Sequence, residues 1–134
     1  MSDESPGEAV GRRLWAAVAA GNRDEAARCL AEDVVWEVHG RNPLSGTFSG
    51  PAQVLDYLAG VGEHADELVS TLKRTYVQGT GAVLLYHVRA SRGVKRLDMN
   101  YLLQIETDRG RVTLARQFAQ DQYTNDEFWN FAAS

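Results

Sequence analysis

From Gly81 to Ala119 the chain alternates in the manner of β-strands, and turn residues cut that run at two places. Gly81 to Ala90 predicts one strand, and Ser91-Arg92-Gly93 turns the chain back. Arg96 to Glu106 predicts the next, Asp108-Arg109-Gly110 is a hairpin signal, and Arg111 to Ala119 predicts the last. A weaker alternation over Leu68 to Gln78 adds a strand before them. Strands joined by such short turns pair antiparallel, and a sheet with one apolar face has to be covered.

The cover lies upstream. Glu8 to Ala20 predicts a helix, with Val10, Leu14, Ala17 and Val18 at helical spacing, Trp15 beside them, and Gly21-Asn22 to stop it. Arg23 to Leu30 predicts a second short helix with Ala26, Ala27 and Leu30 on its apolar side. Val34 to Val38 is a β-branched and aromatic strand. A loop with Pro43, Gly46 and Gly50 follows, and Pro51 to Val61 predicts a third helix. Pro51 suits its first turn, and Val54, Leu55, Leu58 and Val61 form its buried stripe. Asn125 to Phe131 predicts a short terminal helix or hook. Residues 1 to 7 are expected to be a flexible tail, and 8 to 134 one domain. Helices first and strands after them make an α+β fold, with the helices on one face of a curved sheet.

A chain of 134 residues can bury a core without staples. Its formal charge of −4 argues against nucleic acid as the main partner. A lone Cys29 excludes an intramolecular disulfide, and its place in an apolar helical pattern suggests an inert buried thiol. No apolar run approaches the roughly 18 residues of a membrane span, and the polar start resembles no signal peptide; no membrane partner is expected, and the expected location is cytoplasmic. His39, His64 and His87 show no paired metal spacing, and the Gly46–Gly50 loop has no phosphate-cradling pattern, so no metal or other cofactor is expected.

Three stretches give the chain a resemblance to a known family: Ala20-Gly21-Asn22-Arg23-Asp24, then Trp36 to Gly50 with Pro-Leu-Ser-Gly-Thr, then Gly110-Arg111-Val112 leading to Asp121-Gln122-Tyr123 and Asp126-Glu127-Phe128-Trp129. Together they resemble the SnoaL-like, ketosteroid isomerase-like branch of the NTF2-like superfamily. The resemblance implies a cone whose pocket lies between helices and the concave face of the sheet. It also implies a homodimer through the convex face. Strand parity then turns Trp36, Val38, Leu84, Tyr86, Val88, Met99, Tyr101, Leu103, Ala115, Gln117 and Ala119 inward, and His87, Asp98 and Asn100 outward.

Chemistry known in that superfamily does not transfer directly. Where the resemblance puts a steroid isomerase's donor Tyr, base and protonated Asp, this chain has Leu14, Val38 and Tyr101. Where a limonene-type epoxide hydrolase has its Arg and Asp, this chain has Leu84 and Tyr86, and Arg96-Leu97-Asp98 falls one strand later on the outward face. A SnoaL-type cyclase places an acid near the end of the last strand, which implies Asp121. Desolvation there would raise its pKa toward acid/base work. The alternative reading of Asp121 is a cap or turn residue.

His39, one step beyond the first strand at the expected pocket rim, is the other proton carrier on offer, or else an exposed loop residue. Tyr86 and Tyr101 are expected as two phenols on one wall, orienting a carbonyl with Gln117, or else as core tyrosines. Trp15 and Trp36 are expected as pocket wall, and Trp129 with Phe128 and Phe131 as an apolar hook at the cone's base or against a partner subunit.

Three functions follow. The first is a cofactor-independent acid/base enzyme on a hydrophobic small molecule (an isomerase, cyclase, dehydratase or hydrolase of secondary metabolism, such as polyketide metabolism). Its catalytic residues would be Asp121, His39 and Tyr101, and its substrate-binding residues Trp15, Trp36, Val38, Tyr86, Val88, Met99, Leu103 and Gln117. The second keeps the pocket without the chemistry, which a lining of neutral groups would favour. The third is a dimeric scaffold working through the convex sheet face.

Overall fold

A computed structural model describes residues 5–131. The order is α1 (Pro6–Ala19), α2 (Arg23–Arg28), β1 (Leu30–Val38), β2 (Gly46–Ser49), α3 (Gly50–Glu63), β3 (Glu67–Gln78), β4 (Gly81–Arg92), β5 (Lys95–Asp108), β6 (Arg111–Ala119) and α4 (Gln122–Phe128). One six-stranded sheet runs β2-β1-β6-β5-β4-β3, antiparallel except where β1 lies parallel to β6. The class is α+β, with helices on one face of a curved sheet, as the pattern of elements requires.

The first helix begins earlier than the sequence suggests. Ser5 caps α1 by accepting from the Glu8 amide at 3.1 Å, while the Glu8 carboxylate reaches back to the Ser5 amide at 3.4 Å. That reciprocal pair, with Pro6 at the first turn, satisfies two of the helix's free N–H groups and starts it at Pro6. The expectation for residues 1–4 lies outside the described residues.

Other differences trace to long-range pairing. β1 starts at Leu30, not Val34, because Leu30 already pairs with Val112 of β6. The sequence predicts a loop where β2 lies. β2 is a four-residue edge strand against β1, with Trp36 opposite Phe48 and Val38 opposite Gly46.

The sheet curves over α1 and α3. Bulges in β3 between Leu72 and Arg74, and in β6 at Thr113 opposite Glu106 and Thr107 of β5, bend it. Glycine permits close contact at the start of β4: a Cβ on Gly7 of α1 would lie 2.5 Å from the Gly81 oxygen, and one on Gly81 would lie 2.0 Å from the Ile105 carbonyl oxygen of β5. The narrow end is filled by Cys29, Leu30, Val34, Val54, Ile105 and Val112, each at most 1% exposed. A second cluster, containing Val88, Leu97, Met99, Phe128 and Trp129, packs around α4. The terminal hook is therefore part of the core, with Phe128 and Trp129 edge to face at 4.7 Å.

Candidate functional site

Between the two clusters the concave face does not close on the helices. A cavity of about 630 Å³ remains, within the range of roughly 300–1,000 Å³ common for small-molecule sites. α1 contributes Leu14, Trp15 and Val18, α3 contributes Tyr57, Leu58 and Val61, and the sheet contributes Trp36, Val38, Leu84, Tyr86, Val88, Tyr101, Leu103 and Gln117. Asn42 and Leu44 come from the β1–β2 loop, and Asn125 and Trp129 from the end of the chain. Leu58 and Val61 of the helical stripe are only half-buried because they face this space, whereas Val54 and Leu55 are buried beneath it. The exposed members of the lining, Val18, Ala19, Ala59, Gly62, Val69 and Ser70, mark its mouth between α1, α3 and β3.

Among the described residues, no Asp, Glu, Lys, Arg or His lines this cavity. Its polarity comes from phenols and amides. Adjacent strands set Tyr86 opposite Tyr101, with rings stacked at 5.3 Å and 12°, and Trp15 leans on Tyr86 at 5.1 Å. Tyr57 stacks on Phe48 at 4.5 Å and donates its hydroxyl to Gln117 Oε1 at 3.2 Å. That bond occupies the amide oxygen and leaves the Gln117 N–H groups without a protein partner among the described residues. The Tyr101 hydroxyl donates to Asn125 Oδ1. Tyr86 borders the cavity, and its hydroxyl has no protein partner among the described residues. The Trp36 indole N–H is buried without an acceptor.

All three phenols stay protonated well past neutrality. Burial pushes Tyr101 up to about 12, against a hydrogen bond from the Trp129 side chain that lowers it. Burial also raises Tyr57, with Tyr101 adding to the effect. It raises Tyr86 as well, and there Tyr57 and Tyr101 add to the effect. All three border the cavity, where they serve as neutral donors and acceptors rather than as bases.

The structure brings Trp15, Trp36, Val38, Tyr86, Val88, Tyr101, Leu103 and Gln117 together around this one cavity. Three expected residues lie elsewhere. Asp121 is exposed and does not line the cavity; β6 ends at Ala119, so strand parity no longer aims its side chain. Its carboxylate accepts from the Thr124 amide at 3.1 Å as the N-cap of α4. These bonds hold its pKa below the ordinary carboxylate value, opposite to the expected rise. His39 is exposed past the end of β1, and its ring stacks at 4.9 Å on Phe118, whose partner is Leu102 on the outward face. Met99 packs in the cluster around α4 and does not border the cavity.

Tyr57, Asn125, Asn42 and Leu44 were not expected. Tyr57 had a local signal, being three residues from Val54 and beside the apolar stripe of α3. The other three depend on α4 folding back against the β1–β2 loop, which no local pattern announces. Among the described residues, no group of three or more His, Cys, Asp or Glu side chains could hold a metal ion. No helix among them is long and apolar enough to cross a membrane.

The cone of helices on a curved sheet, with a cavity between them, defines a pocket protein of the NTF2-like class. More narrowly, residues 11–118 match the SnoaL-like domain model, and the chain belongs to that family. Among its relatives is the uncharacterised protein Rv0034 of Mycobacterium tuberculosis, 33% identical over 131 residues, which cover 96% of this chain and 99% of that protein. Among solved structures it is similar to Bal32a from a soil-derived mobile gene cassette, with a TM-score of 0.86 and 25% identity over 92% of this chain and 96% of that one. TerC, co-crystallised with polyporic acid, shares the fold with a TM-score of 0.80 and 16% identity over 92% of this chain and 98% of that one.

Proposed function

We propose that this protein binds a neutral, hydrophobic small molecule carrying a hydrogen-bond acceptor, in the cavity between α1, α3 and the sheet. One observation carries the reading. The lining is apolar and aromatic, every polar group on it is uncharged, and the unmet ones at Tyr86 and Gln117 are donors. A charged ligand would be desolvated there with no counter-charge, at a cost of several kcal/mol. A neutral ligand exchanges apolar surface favourably and returns an acceptor to waiting N–H and O–H groups. The co-crystallisation of TerC, on the same fold, with a small molecule supports small-molecule binding by this fold.

The test is a matched pair of planar probes, 9-fluorenone and fluorene, which differ by a carbonyl in place of a methylene. Equilibrium dialysis should show the ketone binding about tenfold more tightly, the worth of one or two neutral hydrogen bonds. Gln117→Leu combined with Tyr86→Phe should erase that preference. Absence of binding by either probe would sink the reading.

The uncommitted Tyr86 hydroxyl favours one further reading, an isomerase-type reaction in which neutral donors polarise a bound carbonyl. It assigns the proton to solvent, since Asp121 and His39 lie outside the cavity. Conversion of a β,γ-unsaturated cyclic ketone to its conjugated isomer, lost in Tyr86→Phe, would support it. No conversion by the wild type would leave binding as the function.

For the convex face we propose a second copy of this chain as partner. Leu102 and Phe118 are cross-strand neighbours there, 41% and 40% exposed. The pairs Arg116–Glu37 and His87–Asp98 flank them, each at 2.6 Å.

A further inference from the structure

The cavity wall at the α4 end hangs on one carboxylate that takes no part in lining it. The β1–β2 loop, residues 39–45, is folded on itself: the Ser45 amide donates to the Asn42 carbonyl at 2.9 Å, and the Leu44 amide to Asn42 Oδ1 at 2.8 Å. This unit presents Asn42 and Leu44 to the cavity. Its polar attachment to α4 is concentrated at Asp126. Asp126 Oδ1 accepts from the Arg41 amide at 3.0 Å, from Asn42 Nδ2 at 2.7 Å and from Gln122 Nε2 at 3.0 Å. Gln122 Nε2 also reaches the His39 carbonyl at 3.3 Å.

Gly40 makes this approach possible. Its φ is +119°, and a Cβ there would lie 2.4 Å from both Asp126 Oδ1 and Gln122 Nε2. Next to Asp126, Asn125 is buried and accepts the Tyr101 hydroxyl from the sheet wall. Two adjacent residues of α4 therefore grip opposite sides of the cavity, one the sheet and one the loop.

We propose that Asp126 is a positioning residue that fastens the 39–45 loop as a wall of the cavity, and that this fastening sets how fast a ligand enters and leaves. Its effect on exchange rests on the cavity being a ligand site; its effect on the loop does not. Three donors converge on one charged oxygen, and such bonds are stronger than neutral ones. Without it, the loop keeps its internal turn and its Leu44 contact but loses its charged tie to the helix, and only the Gln122 Nε2 bond to the His39 carbonyl at 3.3 Å remains. The wall then parts between Leu44 and Trp129, which opens a second route into the space.

Two readouts test this on the full chain, in wild type, Asp126→Ala, Asp126→Asn, and Val112→Ala as a destabilised core control away from the cavity. In the ligand-free protein, hydrogen exchange of the segment 39–45 should be at least about tenfold faster in Asp126→Ala than in Val112→Ala, and intermediate in Asp126→Asn, which retains a neutral acceptor. With 9-fluorenone as probe, stopped-flow association and dissociation should both accelerate in the same order. Loop exchange no faster than in the control overturns the latch, whatever the probe does. A faster loop with unchanged fluorenone rates overturns the gating role and leaves the cavity reading standing. If the wild type does not take up fluorenone, the cavity reading fails and the loop measurement alone decides the latch. Should Asp126→Ala fail to fold, Asp126→Asn against Val112→Ala decides the same point.

Discussion

The two faces of the sheet are written by the same alternating strands and differ in charge. On the concave face, Val38, Gln117, Leu103 and Leu84 follow one another across neighbouring strands, and Tyr101 and Tyr86 form the next row, none of them charged. On the convex face the residues between them give the pairs Arg116–Glu37 and His87–Asp98. Period-2 alternation sorts charge outward along each strand, and the loops continue the sorting, because Asp121 and His39 end on the surface. A cavity built this way is suited to shape and neutral hydrogen bonds. Charge-based acid/base chemistry would have to be brought in by the ligand or by water.

The sharpest way to break this contrast is to place one carboxylate on each face. Leu84→Asp, at a side chain 2% exposed, should cost at least about 4 kcal/mol, because a buried acid there has no partner. Leu102→Asp, on the outer face, should stay within about 1 kcal/mol by urea denaturation. Sedimentation should nonetheless show Leu102→Asp or Phe118→Asp dissociating a homodimer held by that face; a monomeric wild type would contradict the proposed partner. Leu30→Ala at the filled narrow end, at a side chain 1% exposed, should cost about 3 kcal/mol, by lost transfer energy plus a cavity. The same reduction at the cavity wall, Leu58→Ala, should cost less, because Leu58 already faces open space.

Tyr101→Phe should cost about 1–3 kcal/mol by leaving buried Asn125 without its donor. It should also flatten the alkaline limb of the stability curve. The Tyr101 phenol is raised from 10.0 to about 12 in the folded protein. Its contribution is therefore complete below pH 10 and is lost as pH rises through about 12. The smallest effect belongs to Asp121→Ala, a modest fall in Tm from a lost cap. Its sign with pH is opposite to that of Tyr101. The folded pKa is depressed, so the difference from wild type is present above the ordinary carboxylate range and fades as pH falls through the folded value. Unaltered fluorenone binding in this variant would agree with its place outside the cavity.

Strands β3 to β6 were legible to within two residues at each end, because alternation and Gly-containing turns agree over that stretch. Of the nine sheet and helix residues expected as wall, eight line the cavity, and Met99, on the same face, lies beyond its edge. Alternation reports which face a residue takes, not where along the face the cavity stops. The parallel pairing that starts β1 at Leu30, the edge strand β2 and the Asp126 bonds are contacts between distant segments, so no window of sequence displays them. Ser5-Pro6-Gly7-Glu8 did carry a readable capping signal. Asp121 was misplaced because parity was carried past Ala119, where the strand ends.

The most direct test of the central claim compares one shape in three charge states. 9-Fluorenone, the cation of 9-aminofluorene and the anion of fluorene-9-carboxylic acid can be dialysed against the same protein at neutral pH. An uncharged cavity predicts that the ketone binds at least about 100-fold more tightly than either ion. Equal or tighter binding of one of the ions would contradict the account.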